Sequence, residues 1–85
     1  MHVTILYFAW VREAVGVAEE ELDLPNTLQT PLDVIAYLRT HSAGHAAAFA
    51  ETSRLRCAVD QKIIALECEI GDAREIAFFP PVTGG

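Results

Sequence analysis

One segment of this 85-residue sequence has residue types and spacing suited to chemistry: Gly84-Gly85, placed behind Glu75-Ile76-Ala77-Phe78-Phe79-Pro80-Pro81-Val82-Thr83. Glycine has no side chain and reaches backbone conformations closed to other residues. A terminal pair of glycines is the slimmest peptide a protein can offer, so it threads into another protein's pocket and presents only its carboxylate. A carboxylate is a poor electrophile because hydroxide leaves badly. ATP converts it to an acyl-adenylate, which a sulfur nucleophile then attacks. The accessible products are an isopeptide bond, a thioester or a terminal thiocarboxylate. None of these needs an acid, base or nucleophile on this chain. The sequence has no glycine-rich phosphate loop, no Ser-His or Cys-His constellation and no metal-ligand spacing. It reads as a carried reagent rather than a catalyst, with no bound cofactor expected.

The remaining reactive residue types are read as structural. Cys57 and Cys68 are not a C-x-x-C pair and are expected to be small buried or half-buried hydrophobes. His41 and His45 would share a face on one helix, but Ser42-Ala43-Gly44 reads as a break between them, so no metal pair is expected. Twelve acidic residues against six basic ones give a net charge of −6. That balance argues against nucleic acid, which needs clustered Lys and Arg, and leans toward a basic protein partner. Glu19-Glu20-Glu21 is expected to be a solvated strand edge.

The elements that must position the glycines follow from periodicity. Val3, Ile5 and Tyr7 alternate with His2, Thr4, Leu6 and Phe8, predicting a first strand over 2–9. A helical turn follows from Trp10 to Val15, closed by Gly16. Leu22 and Leu24 alternate with Glu19, Glu21 and Asp23, a second strand over 18–24, antiparallel to the first. Thr30-Pro31-Leu32-Asp33 opens the main helix with a cap, an N1 proline and a capping-box acid. Val34, Ile35 and Leu38 form its apolar stripe. His45 to Glu51 reads as a second short helix anchored by Phe49. Leu55, Cys57 and Val59 make a third strand, Asp60-Gln61-Lys62 a turn, Ile63 to Leu66 a fourth strand, and 74–79 the last, ended by Pro80 and Pro81. The order predicts an α+β domain, a sheet of about five strands covered on one face by one main helix plus short helices.

Eighty-five residues make one domain, which buries about 60–65% of its unfolded surface. The composition, 52% apolar, suits a globular core. No apolar run nears the ~20 residues a membrane helix needs, and the opening Met1-His2-Val3-Thr4-Ile5 carries no signal-peptide pattern, so no membrane role and a cytoplasmic location are expected. Residues 1–81 are assigned to the domain and 82–85 to a flexible tail. Alternation places Phe8 and Phe79 on the sheet face away from the helix, with Ile63 nearby. Large rings there point to an interaction patch, unless the chain's own loops cover them.

Three blocks resemble a known family. The ending from Asp72 to Gly85, the opening Ile5-Leu6-Tyr7-Phe8-Ala9-Trp10-Val11-Arg12-Glu13 and the central Ala58-Val59-Asp60-Gln61 are similar to the small, sulfur-carrier subunits of molybdopterin synthase. The resemblance implies a ubiquitin-like β-grasp fold with a mixed sheet. It implies that a ubiquitin-activator-like adenylyltransferase uses ATP to activate Gly85, that a sulfurtransferase system converts it to a thiocarboxylate, and that the tail enters the large synthase subunit. There the sulfur would pass to the precursor pterin (precursor Z, a cyclic pyranopterin monophosphate) and build the dithiolene of molybdopterin for the molybdenum cofactor. The family assembly is a heterotetramer. By position, Gly85 would bear the sulfur and Gly84 would give the slim approach. Phe8, Ile63, Phe79, Pro80, Pro81, Val82 and Thr83 would meet the partner. Asp60 stands where asparagine is common in the family; both suit a turn. Alternatives remain: a sulfur carrier for the thiazole of thiamine, a ubiquitin-like protein modifier, and a non-reactive interaction module.

Overall fold

The computed structural model describes residues 1–81. Val82, Thr83, Gly84 and Gly85, and with them the tail expected over 82–85, lie outside the described residues. In chain order come β1 (His2–Tyr7), α1 (Ala9–Val15), β2 (Glu19–Asp23), α2 (Pro31–Leu38), α3 (Ala43–Ala48), a 3-10 turn (Thr52–Arg54), β3 (Arg56–Val59), β4 (Lys62–Ile64) and β5 (Glu75–Phe79). The five strands form one sheet in the order β2-β1-β5-β3-β4. The central pair β1–β5 is parallel and the other pairs are antiparallel. This is the mixed-sheet β-grasp arrangement.

Period-2 alternation decides which face is core. Val3, Ile5 and Tyr7 of β1, and Ile76 and Phe78 of β5, are all buried on one face. Helix α2 presents Val34, Ile35 and Leu38 to the same interior. Phe49 bridges the layers, with its ring 5.1 Å from Phe78 and 6.2 Å from Tyr7. Burying each such side chain stabilises the fold by about 1.5–3 kcal/mol.

Local signals set the helix ends. Thr30 Oγ1 accepts from Asp33 N–H at 3.2 Å, and Asp33 Oδ2 accepts from the Gln29 and Thr30 N–H groups at 2.9 and 3.1 Å. The Gln29 and then the Thr30 amide hold the Asp33 carboxyl below its usual range. Gly16 closes α1 in the left-handed conformation (φ 100), its N–H donating to Arg12 O at 2.8 Å.

Several boundaries differ from the sequence expectations. β1 stops at Tyr7 rather than reaching residue 9, because Ala9 turns the chain with φ 53 and Phe8 becomes the cap of α1. The short helix expected from His45 begins at Ala43, since the Ser42 hydroxyl accepts from His45 N–H at 3.1 Å and caps it. Gly44 is therefore helical, at a close crossing: a Cβ there would stand 2.5 Å from the Ala14 carbonyl oxygen of α1. The 3-10 turn delays β3 to Arg56. β4 is Lys62–Ile64 rather than 63–66, because a two-residue turn, Asp60 (φ 48) and Gln61 (φ 72), closes the hairpin one residue early. Positive φ at both central residues matches the twist of the flanking strands.

Candidate functional site

β5 delivers the chain to its last described residues from the middle of the sheet. It is paired on one side with β1, Tyr7 opposite Phe78, and on the other with β3, Arg56 opposite Phe79. Phe8 N–H adds a bond to Phe78 O at 3.1 Å. The start of β5 is fixed as well. Asp60 Oδ1 accepts from both the Arg74 and Glu75 N–H groups at 3.0 Å, and Asp60 N–H donates to Glu75 O at 2.9 Å. An asparagine Oδ1 can accept the same two bonds, so the aspartate keeps the turn's function. Pro80 and Pro81, both half-buried, have no N–H to donate and end the ladder. The last described residues thus follow a strand anchored along both edges. Val82, Thr83, Gly84 and Gly85 fall outside the described residues.

The outer face of the sheet holds three of the predicted contact residues, Phe8, Ile63 and Phe79. Cross-strand partners Leu6, Ala77, Ala58 and Ile63 run in a row from β1 to β4. Phe8 is 48% exposed and Ile63 73%. Phe8 and Phe79 follow the paired Tyr7 and Phe78 on parallel strands, so they are neighbours. Phe79 is half-buried rather than open, flanked by Phe8 and by its partner Arg56. Val17, 43% exposed in the α1–β2 connection, joins the exposed apolar residues; an isolated valine between a glycine and an alanine gave no sign of this.

Two features of this end of the molecule were not legible in the sequence. The Arg54 guanidinium lies over the Trp10 ring, 4.8 Å from its centroid. Arg56 Nη1 donates to Leu55 O at 2.8 Å. Nothing in the spacing of residues 10 and 54 announces their meeting.

Several other titratable groups make contacts within the fold. Glu20 turns inward from the edge strand, departing from the expected solvated run. Its Oε2 accepts from Tyr7 OH at 2.9 Å and lies 3.1 Å from His45 Nε2. His45, buried, has Nδ1 2.7 Å from Ser42 Oγ. Burial first, then the Glu20 carboxylate, drives the Tyr7 phenol far above its ordinary range. The His41 and His45 rings are 5.5 Å apart from different segments, and no group of three metal-ligating side chains occurs among the described residues. The Cys57 thiol is pushed up to about 11, by burial first and then by Cys68 and Glu67. Cys57 is the small buried hydrophobe expected, whereas Cys68 departs from that expectation and is exposed. A cleft of about 500 Å³ lies at the far end of β1 and β5, lined by Met1, Asn26 and Arg74 among others; it gathers no reactive constellation. Among the described residues no helix is long and apolar enough to cross a membrane.

Comparison with known proteins agrees with this geometry. Residues 5–85 match the ThiS family. The chain is 36% identical over 88 residues to the molybdopterin synthase sulfur carrier subunit of Escherichia coli strain K12, covering 98% of this chain and 99% of the relative. It is 36% identical over 83 residues to the subunit of that name from Haemophilus influenzae, with the same coverage. Among solved structures it superposes on a Pyrococcus furiosus protein described as molybdopterin converting factor, subunit 1 (TM-score 0.67, 23% identity, covering 96% of this chain and 99% of that one). It also superposes on SAMP1 from Haloferax volcanii (TM-score 0.68, 19% identity, all of both chains). At those identities the two structures establish the β-grasp fold alone.

Proposed function

This chain belongs to the ThiS family, and from that premise we propose that it is the sulfur carrier subunit of a molybdopterin synthase, with Gly85 as the atom-bearing residue. The observation that carries the reading is the near full-length 36% identity to two such subunits. The anchored central strand that leads into Gly84-Gly85 supports it.

The chemistry runs in three balanced steps. An adenylyltransferase joins the Gly85 carboxylate to the α-phosphate of ATP and releases pyrophosphate. Hydrosulfide attacks the acyl carbon, or a persulfide does so and a thiol then reduces the resulting acyl disulfide; AMP leaves, and a thiocarboxylate remains. In the partner catalytic subunit the thiocarboxylate sulfur passes to the precursor pterin, water supplies the oxygen that restores the carboxylate, and a second loaded carrier completes the dithiolene. This chain contributes no acid or base to these steps. Its part is to hold the acyl group at the end of a narrow peptide, so that the partner's residues surround it. ATP belongs to the activating enzyme. Phe8, Ile63 and Phe79, with Pro80 to Thr83, would form the contact with the catalytic subunit in a heterotetramer of two carriers and two catalytic chains.

The test is reconstitution with the catalytic subunit and precursor pterin. The thiocarboxylated chain should yield the dithiolene product, and a chain lacking Gly84 and Gly85 should yield none while melting at the same temperature. Full activity of the truncated chain would overturn the proposal. Product formation only in a thiazole-forming system would assign the carrier to that pathway instead.

A further inference from the structure

The outer face of the sheet is divided by charge, apart from Glu75 of β5, the cross-strand partner of Thr4 on the same face. On the β2 side stand Glu19 and Glu21, cross-strand partners of Leu6 and Thr4. On the β3 side stands Arg56, partner of Phe79, with Arg54 just ahead of the strand. Strands lie about 4.8 Å apart, so β2 and β3, three spacings removed, are about 14 Å apart. The Debye length is only about 8 Å at physiological ionic strength. The two charged zones are therefore largely screened from each other. A docking protein meets each zone by itself, not the net charge of −6, and the basic partner expected from composition is at most half the answer.

The arginines are prepared for a carboxylate. Trp10 holds the Arg54 guanidinium by its ring face, and the Leu55 carbonyl holds that of Arg56. Among the described residues every ion pair involves a histidine, so neither arginine is neutralised. An arginine already oriented keeps several N–H donors to give and loses less side-chain freedom on binding. Across the face, Glu21 contacts His2 at 3.3 Å, while Glu19 has no basic partner among the described residues.

We propose that this face docks on the catalytic partner subunit in a single orientation, with partner carboxylates over Arg54 and Arg56, partner cations over Glu19 and Glu21, and Leu6 and Phe79 in the apolar gap between. A rotated approach would oppose like charges, so the charge division selects the pose in which the C-terminal segment enters the partner. The inference rests on the proposed function for the identity of the partner.

Its test compares two charge reversals by binding to the purified catalytic subunit at low and physiological salt. Arg54→Glu with Arg56→Glu takes the net charge from −6 to −10, and Glu19→Lys with Glu21→Lys takes it from −6 to −2, each substitution changing it by two. A divided face predicts that both pairs weaken binding about tenfold or more at low salt, mainly by slower association, and less as salt rises. A response to net charge alone predicts opposite shifts, and that result, or no shift in either pair, overturns the inference. Melting curves identify any variant that fails to fold; Arg56→Gln and Glu19→Gln then replace the reversals, with smaller losses in the same direction expected and opposite or absent shifts again overturning it. If the unsubstituted chain does not bind the catalytic subunit, the functional reading itself falls, and this inference falls with it.

Discussion

Replacing Gly44 by alanine sets two effects of opposite sign against each other. In an exposed helix interior the change stabilises by about 0.8–1 kcal/mol, because glycine carries the larger backbone entropy cost. In α3 the added methyl would stand 2.5 Å from the Ala14 carbonyl oxygen and 3.3 Å from that of Val15. Both obstacles are backbone of α1, not the end of a flexible side chain. Restoring ordinary van der Waals separation requires the two helices to part by roughly 0.7–1 Å, and such overpacking costs about 1–3 kcal/mol. The steric term wins, because Gly44 lies in the first turn, where the propensity gain is smaller. The net loss should be about 1–2 kcal/mol, which lowers the melting temperature of a domain this size by about 5–15 °C. Thermal unfolding followed by far-UV circular dichroism reads this directly. An unchanged or raised melting temperature would refute the close crossing. The same displacement would move Trp10, on α1, away from Arg54, so partner binding should fall beyond what stability explains.

Other outcomes follow from the site. Asp60→Ala removes the acceptor of two β5 amides and a residue suited to positive φ; denaturant unfolding should report a loss of about 1–3 kcal/mol, whereas Asp60→Asn should stay within about 0.5 kcal/mol. His2 is raised above its ordinary 6.5 by its hydrogen bonds to Asp23 and then Glu21. A raised value means that its contribution to stability is complete below 6.5 and is lost as pH climbs through the folded value. A proton NMR titration should place it above 6.5, and Asp23→Asn should bring it down; a wild-type titration at or below 6.5 would contradict the contact geometry. Phe79→Ala should weaken binding to the catalytic subunit by about 2 kcal/mol, measured by calorimetry; an unchanged dissociation constant would remove that ring from the interface.

How much of this was legible in the sequence depends on the range of each interaction. Val3, Ile5 and Tyr7, and Ile76 and Phe78, declared their inward faces by alternation, because side-chain direction in a strand is a local property. Thr30, Pro31 and Asp33 declared the start of α2 for the same reason. Ser42-Ala43-Gly44 was misleading. Serine and glycine read as a break, but the serine is a cap and the glycine is needed by a carbonyl thirty residues back in the chain. Glu20 hid within an acidic run, since its partners Tyr7 and His45 come from β1 and α3. The pairing of β1 with β5 left no local signal either, and with it the division of charge across the outer face. Those features depend on which distant elements meet, which the periodicity of one segment does not encode. Phe8 and Phe79 were legible as outward-facing and Ile63 only as lying nearby, but not the degree to which Phe79 is covered.

Sulfur transfer by this chain depends most directly on the carboxyl group of Gly85. The purified chain, incubated with its adenylating enzyme, ATP and a sulfur donor, can be weighed intact and then fragmented. The expected result is the mass gain of one oxygen replaced by sulfur, confined to the fragment holding Gly84 and Gly85. An unaltered mass under conditions that load a known carrier, or sulfur found instead on Cys57 or Cys68, would contradict it.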